Sequence, residues 1–174
     1  MTVKVLVAYA TKNRSTAEIA RTLTEVFRKQ GIDAEMRLAR DVGELQVYDA
    51  VVLGSPLYEG QWHKDARRFA KRHREALAGR PVWLFSSGPL DESANEGDLP
   101  PVPSVRRISI RIQAREHVTF GGCLSDDAQG WMARMIVKAG KGGDFRDFEQ
   151  ISAWAQRIGA TLLGEPATDR GGQP

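Results

Sequence analysis

The stretch VKVLVAYATKNRSTAEI, residues 3–19, decides the fold. Its first part, Val3 to Ala8, is apolar on both faces and predicts a buried strand. A short polar turn follows, and then a helix is predicted over Ser15 to Lys29, with Gly31 just beyond its end. One face of this helix is apolar and consists of Ile19, Leu23, Val26 and Phe27. A buried strand that runs directly into an amphipathic helix is typical of an α/β protein.

The same alternation continues along the chain. Further strands are predicted at 34–38, 48–53, 82–85 and 118–124, and further helices at 64–77, 104–114 and 148–163. We expect Gly54-Ser55-Pro56 to end the third strand and Ser104 to cap the helix that it begins. Strands that are apolar on both faces need helices on both sides of a parallel sheet. The sequence therefore predicts a doubly wound, five-stranded parallel sheet of order 2-1-3-4-5, with any ligand in the loops after the first and third strands, 9–15 and 55–63.

Composition limits the remaining possibilities. The chain fits one domain over residues 1–165, followed by a disordered tail over 166–174. The longest aliphatic run, Ala50 to Leu53, is far too short for a membrane span, and no signal peptide is recognisable at the start. One cysteine and three widely spaced histidines make no zinc pattern, so we expect no metal. A cytoplasmic protein is the default expectation.

Positive charge is concentrated in one segment. The formal net charge is +3, and the helix region between His63 and Arg80 carries seven lysines and arginines against two acidic residues. A solvated helix face explains such a pattern, and peripheral contact with the inner face of a membrane or with an acidic partner is the alternative. Nucleic acid is not expected, because no recognised nucleic-acid module or aromatic stacking platform is present.

The loop after the first strand suits a phosphate. Hydroxyls at Thr11, Ser15 and Thr16 surround the start of a helix, where backbone N–H groups and the positive end of the helix dipole favour an anion. The alternative is an ordinary capping box made by Ser15 and Glu18. The loop is neither a P-loop nor a Gly-x-Gly-x-x-Gly turn.

Four segments resemble the flavodoxin-domain family that includes the menaquinone-dependent protoporphyrinogen dehydrogenases, particularly its actinobacterial members. They are YATK with ST (9–12 and 15–16), VLGSPLYEGQW (52–62), RPVWLFSSGP (80–89) and GDFRDF (143–148). The resemblance covers nearly all of residues 3–163 and implies a flavodoxin-like fold that binds FMN without a covalent bond. Such loops usually carry glycine where Arg14 stands. We expect FMN binding to be retained, because the flanking hydroxyl positions are intact.

The resemblance also implies which residues hold the flavin. The phosphate group is assigned to Thr11, Lys12, Asn13, Arg14, Ser15 and Thr16. The ring is assigned to two loops, Pro56, Leu57, Tyr58, Glu59, Gly60 and Trp62 on one side and Ser86, Ser87, Gly88 and Pro89 on the other. Tyr58 and Trp62 are candidates for ring stacking, and hydrophobic filling beside the second helix is the alternative for both. No catalytic side chain is expected, because the flavin N5 atom carries the chemistry.

Two features favour an enzyme over an electron carrier. The segment from Ser86 to Pro103 contains no Phe, Tyr or Trp that would cover the flavin, and the chain is basic where such carriers are typically acidic. An open flavin face suits a flat substrate, and the family resemblance implies a quinone or a porphyrinogen. The alternatives are a flavodoxin-type carrier that serves a redox protein, and a flavodoxin-fold module that has lost FMN. A homo-oligomer is compatible with the sequence. The segment Trp131 to Lys138 is interpreted as an extra helix that touches lipid or covers the core.

Overall fold

The computed structural model describes residues 2–12, 15–88, 99–121, 123–124, 143–144 and 146–164. Its strands are β1 Lys4–Tyr9, β2 Asp33–Leu38, β3 Ala50–Tyr58, β4 Gln61–Trp62, β5 Val82–Ser87, β6 Glu116–Phe120, β7 Cys123–Leu124 and β8 Gly143–Asp144. Its α-helices are α1 Ser15–Lys29, α2 Lys64–Arg72, α3 Arg74–Ala78, α4 Pro103–Ile112 and α5 Phe148–Gly164, and a 3-10 turn spans Ala39–Asp41.

The central sheet has the predicted topology. Its parallel strands lie in the order β2-β1-β3-β5-β6, which is the 2-1-3-4-5 order of the sequence prediction once the short β4 is set aside. β4 pairs antiparallel with the end of β3, through Leu57 with Trp62 and Tyr58 with Gln61. The prediction of a flavodoxin-like doubly wound sheet is therefore confirmed.

Helices cover both faces of the sheet. α1 and α5 lie on one face, where the Trp154 ring meets the Phe120 ring edge-on with 5.4 Å between centroids. α2, α3 and α4 lie on the other face and bury Phe69, Leu77 and Val105. The predicted inner face of α5 is buried as expected, with Ile151, Trp154, Ala155, Ile158 and Leu162 all in the core.

The third strand runs five residues past its predicted end. Gly54, Ser55 and Pro56 do not terminate it but pair with Phe85, Ser86 and Ser87 of β5, which is also longer than predicted. Gly54 lacks a side chain at the place where the Phe85 ring crosses it. Pro56 is tolerated because β1 has already ended beside Gly54, so no neighbour on that side needs its missing N–H.

Two predicted helices differ in detail. The helix over 64–77 is interrupted at His73, whose backbone (φ −104°, ψ 20°) ends α2 and begins α3 while its ring packs on Phe69. The helix expected from Ser104 begins at Pro103, which suits the first helical position because it has no N–H to lose. The Ser104 hydroxyl donates instead to the Gly60 carbonyl at 2.8 Å, so it does not cap the helix.

The strand predicted at 118–124 is divided. β6 spans Glu116–Phe120, and Cys123–Leu124 forms a separate antiparallel pair with Gly143–Asp144. The expectations for Trp131 to Lys138 and for the tail over 166–174 fall outside the described residues. Within the described ranges, no helix has both the length and the apolar character that crossing a membrane requires.

Candidate functional site

Three chain segments meet at the carboxyl edge of the sheet. The Ala10 N–H donates to the Gly54 carbonyl at 3.0 Å, and the Gly88 N–H donates to the Phe120 carbonyl at 2.9 Å. A Cβ atom built on Gly88 would lie 3.8 Å from the Cβ of Leu57, so the end of β3 is in contact with the segment after β5. Doubly wound proteins bind their ligands at this edge, beside the strands where the order reverses.

Two buried hydroxyls, one in the loop before α1 and one in its first turn, lack a partner among the described residues. Thr16 is fully buried, and neither its Oγ1 atom nor that of Thr11 has a hydrogen-bond partner among the described residues. A buried hydroxyl without a partner costs about 1–3 kcal/mol, so this arrangement is costly unless a ligand supplies an acceptor. The positive end of the α1 dipole favours an anionic one. Asn13 and Arg14, which were also assigned to this site, lie outside the described residues.

The hairpin between β3 and β4 presents a tyrosine at the edge of the site. Its two turn residues, Glu59 and Gly60, both have positive φ, 51° and 76°, as in the tight turns that fit the twist of a hairpin. Tyr58 is 39% exposed, and the Lys12 ammonium lies 5.2 Å from the centroid of its ring. The structure therefore brings the loop after β1 and the hairpin together, with the Tyr58 ring at the junction.

Trp62 does not share this position. Its side chain is 2% exposed in the core beside α2, and its Nε1 atom donates to the Ser86 Oγ atom at 2.8 Å. Burial of this ring favours hydrophobic filling as the interpretation of Trp62. Ser86 and Ser87 are likewise buried, and Pro56 lies in the sheet.

The segment after β5 is described as far as Gly88. This residue has φ 132°, a conformation that L side chains rarely adopt, which explains why glycine follows Ser87. Pro89 lies outside the described residues.

His63 stands at the start of α2. Its Nδ1 atom accepts from the Asp65 N–H at 3.1 Å and caps α2, while its own N–H donates to the Ser55 Oγ atom at 2.9 Å. Burial lowers the pKa of this histidine, and the nearby Asp65 carboxylate opposes that shift.

His117 was missed by the sequence analysis. Its Nε2 atom lies 2.7 Å from the Ser86 Oγ atom, on the side of the sheet that α2 and α4 cover. Burial lowers the pKa of His117 to about 4, which keeps the ring neutral at physiological pH. Nothing in the sequence pairs His117 with Ser86, because the contact joins adjacent strands 31 residues apart.

Arg146, in the GDFRDF segment, contacts the first turn of α1, a position that the sequence does not reveal. Its side chain is only 7% exposed and lies against the first turn of α1. There it donates to the Ser15 carbonyl at 3.4 Å and to the Glu18 carboxylate. The segment stood out by resemblance, but its sequence does not show which element its arginine reaches.

A family model described as a flavodoxin domain matches residues 6–144. The chain belongs to the flavodoxin-domain family. Among curated proteins, this flavodoxin-domain chain is 25% identical to the protoporphyrinogen IX dehydrogenase [quinone] of Escherichia coli strain K12, over 94% of this chain and 98% of the relative. It is thus a distant homologue of a quinone-dependent oxidoreductase over nearly its whole length.

Solved structures confirm the fold. Flavodoxin 1 from Bacillus cereus aligns with a TM-score of 0.61 at 18% identity, over 94% of this chain and 99% of that one. Flavodoxin 2 from the same organism gives 0.60 at 21% identity, over 92% and 99%. The rubredoxin oxygen:oxidoreductase of Desulfovibrio gigas gives 0.60 at 17% identity, over 93% of this chain and 37% of that one. The family implies flavin binding, and the hydroxyls of Thr11 and Thr16, which lack a partner among the described residues, fit a flavin that carries a phosphate.

Proposed function

We propose that this protein binds FMN without a covalent bond and is an FMN-dependent oxidoreductase. It transfers electrons or hydride to or from a flat substrate, a quinone or protoporphyrinogen. The observation that carries the proposal is the full-length similarity to a protoporphyrinogen IX dehydrogenase [quinone], combined with the unpartnered hydroxyls at the switch point of the sheet.

The described residues suggest how FMN would be held. The Thr11 and Thr16 hydroxyls, which lack a partner among the described residues, would receive the phosphate. The first backbone N–H groups of a helix have no partner within the helix, so those at the start of α1 would add to the site. The exposed Tyr58 ring and the backbone of Leu57 to Gly60 would meet one side of the flavin ring. Bound FMN supplies the electron and hydride chemistry, and the protein supplies position and electrostatics.

Substrate access depends on the second ring segment. Its described part ends at Ser87, which is buried, and Gly88, which has no side chain. The sequence from Ser86 to Pro103 contains no aromatic residue, so no aromatic ring from this segment would shield the flavin. That leaves one flavin face available to a flat substrate.

The positive charge of the chain also supports an enzyme over an electron carrier. A negative surround disfavours the anionic reduced flavin and keeps its potential low, whereas a basic surround raises it. The formal net charge here is +3. A higher potential suits an enzyme that takes electrons from a porphyrinogen better than it suits a low-potential carrier.

Turnover without a protein partner tests the proposal. FMN-loaded protein is mixed under anaerobic conditions with protoporphyrinogen IX and a water-soluble quinone, and the fluorescence of the porphyrin product is followed. Free FMN at the same concentration is the control. We expect product at a rate well above that of free FMN. The protein would instead be a carrier if three results held together. It would bind FMN, its rate with these substrates would not exceed that of free FMN, and it would still reduce a redox protein.

Membrane contact through the basic helix α2 is part of this proposal, because quinones reside in lipid. The structure narrows the residues that are available for it. Arg67 donates to the Trp62 carbonyl at 3.1 Å and Arg72 to the Val42 carbonyl at 3.2 Å, so both serve the fold. Arg68 and Lys71, which are exposed like the other two, have no such bond to the backbone among the described hydrogen bonds. Charge reversal at these two positions should abolish salt-sensitive binding to vesicles that contain phosphatidylserine, and unchanged binding would contradict the contact.

A further inference from the structure

The two helical layers of the fold differ in charge. α2, α3 and α4, which cover one face of the sheet, carry nine lysines and arginines against two acidic residues. α1 and α5, on the other face, carry four against three. The formal net charge of the whole chain is only +3, so the positive charge of the described helices is concentrated on one side of the molecule. A surface with one sign of charge attracts partners of the opposite sign.

Within this layer, α4 is the helix whose positive charge is unopposed. Arg106, Arg107 and Arg111 are all exposed, and the sequence from 99 to 115 contains no acidic residue. None of the three side chains forms an ion pair or a hydrogen bond with another described residue. Arg107 and Arg111 stand four residues apart on one helix face, where like charges repel each other. These charges therefore do not stabilise α4 and are available to an anion outside the molecule.

The exposed face of α4 also contains an isoleucine. Ile110 is 67% exposed, the highest value for a large hydrophobic side chain among the described residues. It lies one turn after Arg106 and Arg107, and Arg111 follows it directly, so arginines surround it on the helix surface. It does not belong to the face by which α4 packs on the core. Basic residues together with an exposed apolar side chain are typical of helices that lie on a membrane surface.

The N-terminal end of α4 lies beside the candidate site. The Ser104 hydroxyl donates to the Gly60 carbonyl at 2.8 Å, and Gly60 is in the turn between β3 and β4. α4 also packs against α3 and α2. The helix therefore adjoins both the hairpin that carries Tyr58 and the basic helix α2, and a partner that covers α4 would lie next to the edge of the sheet where a substrate enters.

We infer that α4 is a docking face for a lipid bilayer that contains anionic phospholipids, with its three arginines at the headgroups and Ile110 at the boundary with the acyl chains. The arginines select an anionic surface, and the exposed isoleucine selects lipid over a purely polar anion. The inference adds a second helix to the membrane contact proposed for α2. It rests on the proposed function only in the choice of partner, because a quinone substrate dissolves in lipid. Docking through α4 brings the β3–β4 hairpin close to that lipid.

The test compares two triple variants that change the net charge by the same amount. Protein is mixed with vesicles of phosphatidylcholine and phosphatidylserine, or of phosphatidylcholine alone, and the bound fraction is measured by sedimentation. Replacing all three α4 arginines by glutamine should weaken binding to the anionic vesicles by about a hundredfold, since each basic side chain contributes about fivefold.

The matched control combines Arg21→Gln, Lys29→Gln and Arg157→Gln, which are exposed positions on α1 and α5 in the opposite layer. It should weaken binding by less than about threefold, because charges that the rest of the protein separates from the bilayer are screened. Wild-type binding should also decrease as salt is added.

Variants of Ile110 separate a membrane from other anionic partners. Ile110→Gln keeps every charge, and it should weaken binding to the anionic vesicles by about five- to tenfold because an apolar side chain no longer enters the lipid. Ile110→Trp should tighten the same binding. Leu163→Gln is the matched control, since Leu163 is 51% exposed at the end of α5 in the opposite layer, and its vesicle binding should equal that of wild type.

Several results would overturn the inference. Equal losses in the two triple variants would do so, and so would equal wild-type binding to vesicles with and without phosphatidylserine. Unchanged vesicle binding in Ile110→Gln would mean that the face acts through charge alone. Binding to polyglutamate, with none to anionic vesicles, would assign the face to an acidic protein instead. If the α4 triple variant fails to fold, as urea unfolding would show, Ile110→Gln still decides.

Turnover with a water-soluble quinone in the absence of vesicles keeps this inference separate from the proposed function. The FMN-loaded α4 triple variant should keep the wild-type rate there, because none of its substitutions lies in the candidate site. Wild-type turnover without vesicle binding would overturn the inference alone. Vesicle binding through α4 without turnover would refute the proposed function alone.

Discussion

The Nε1 atom of Trp62 donates a hydrogen bond of 2.8 Å to the Oγ atom of Ser86, and both side chains are buried. This bond joins the β3–β4 hairpin to the end of β5, the two segments that flank the proposed flavin ring. His117 extends it, since its Nε2 atom lies 2.7 Å from the same Oγ atom. The two segments are thus connected through the core as well as through the sheet, which fixes their position relative to each other.

Ser86→Ala should destabilise the protein. The substitution leaves the Trp62 N–H and the His117 ring nitrogen without a partner in the core, and each unmade buried hydrogen bond costs about 1–3 kcal/mol. Urea unfolding of the apoprotein measures the loss. Thr161→Ala is the control, because its hydroxyl donates to the Arg157 carbonyl on an exposed helix surface and its loss should stay within about 0.5 kcal/mol. Equal stability of Ser86→Ala and wild type would show that the network contributes nothing.

Stability should fall as the solution becomes acidic. Burial lowers the pKa of His117 from its usual value of 6.5 to about 4, so between these values the unfolded chain binds a proton that the folded chain does not. The free energy of unfolding therefore has its highest value above pH 6.5 and decreases toward pH 4. The protonation of His117 accounts for up to about 3 kcal/mol of this decrease.

A variant isolates this contribution, because burial also lowers the pKa values of His63 and His73. His117→Gln should flatten the pH dependence of urea unfolding between pH 6.5 and 4. His73→Gln should leave most of the pH dependence in place, since the His73 ring is partly exposed. An unchanged slope in His117→Gln would mean that the ring is protonated in the folded state.

Elements with strong periodic patterns could be predicted from the sequence, and interruptions could not. The bounds of α1 are those expected, because an amphipathic stripe and a following glycine mark both ends. The predicted end of β3 was wrong. Gly and Pro usually end strands, but here the neighbouring strands allow β3 to continue through both residues. Gly54 gives space to a ring from β5, and Pro56 stands where β1 has ended. Neither of these contacts can be inferred from residues 54–56 alone.

The candidate site divides in the same way. The hydroxyls of Thr11 and Thr16 could be found, because they surround a predicted helix start. The buried position of Trp62 could not, since an aromatic residue after a turn suits stacking and packing equally well. Arg146 and His117 contact the site region from 131 and 31 residues away, respectively, through side chains whose direction only the fold determines.

Thr16→Val should weaken FMN binding and stabilise the apoprotein. The valine keeps the shape of the side chain but removes the hydroxyl that would bind the phosphate, at a cost of roughly 1–2 kcal/mol in FMN affinity. The same change removes an unpartnered buried hydroxyl, so the unliganded protein gains stability. Flavin titration and urea unfolding measure the two effects.

Thr24→Val is the matched control for this pair of effects. Thr24 is buried in the same helix, but its hydroxyl donates to the Ala20 carbonyl at 2.8 Å. Its replacement should leave FMN affinity unchanged and should not stabilise the apoprotein. Wild-type FMN affinity in Thr16→Val would place the phosphate away from the start of α1.

Gly54→Ala tests how closely the sheet is packed at the point where its order reverses. A Cβ atom at this position would lie 1.9 Å from the Phe85 ring, and that ring is held edge-on against Trp154 with 6.2 Å between centroids. Both rings are buried, so either the rings or the backbone must shift, and overpacking of this kind costs about 1–3 kcal/mol. The Gly54 carbonyl accepts from the Ala10 N–H, so the shift should also disturb the loop that leads to Thr11 and weaken FMN binding.

Two further variants decide whether the Phe85 ring is the cause of the loss in Gly54→Ala. Gly43→Ala is the control, since a Cβ atom there meets nothing within 4 Å and its loss of stability should be negligible. Adding Phe85→Leu to Gly54→Ala should recover part of the lost stability, because the smaller side chain makes room for the methyl group. Equal urea midpoints for Gly54→Ala and Gly43→Ala would show that the sheet yields easily here and that the glycine is not required by the ring above it.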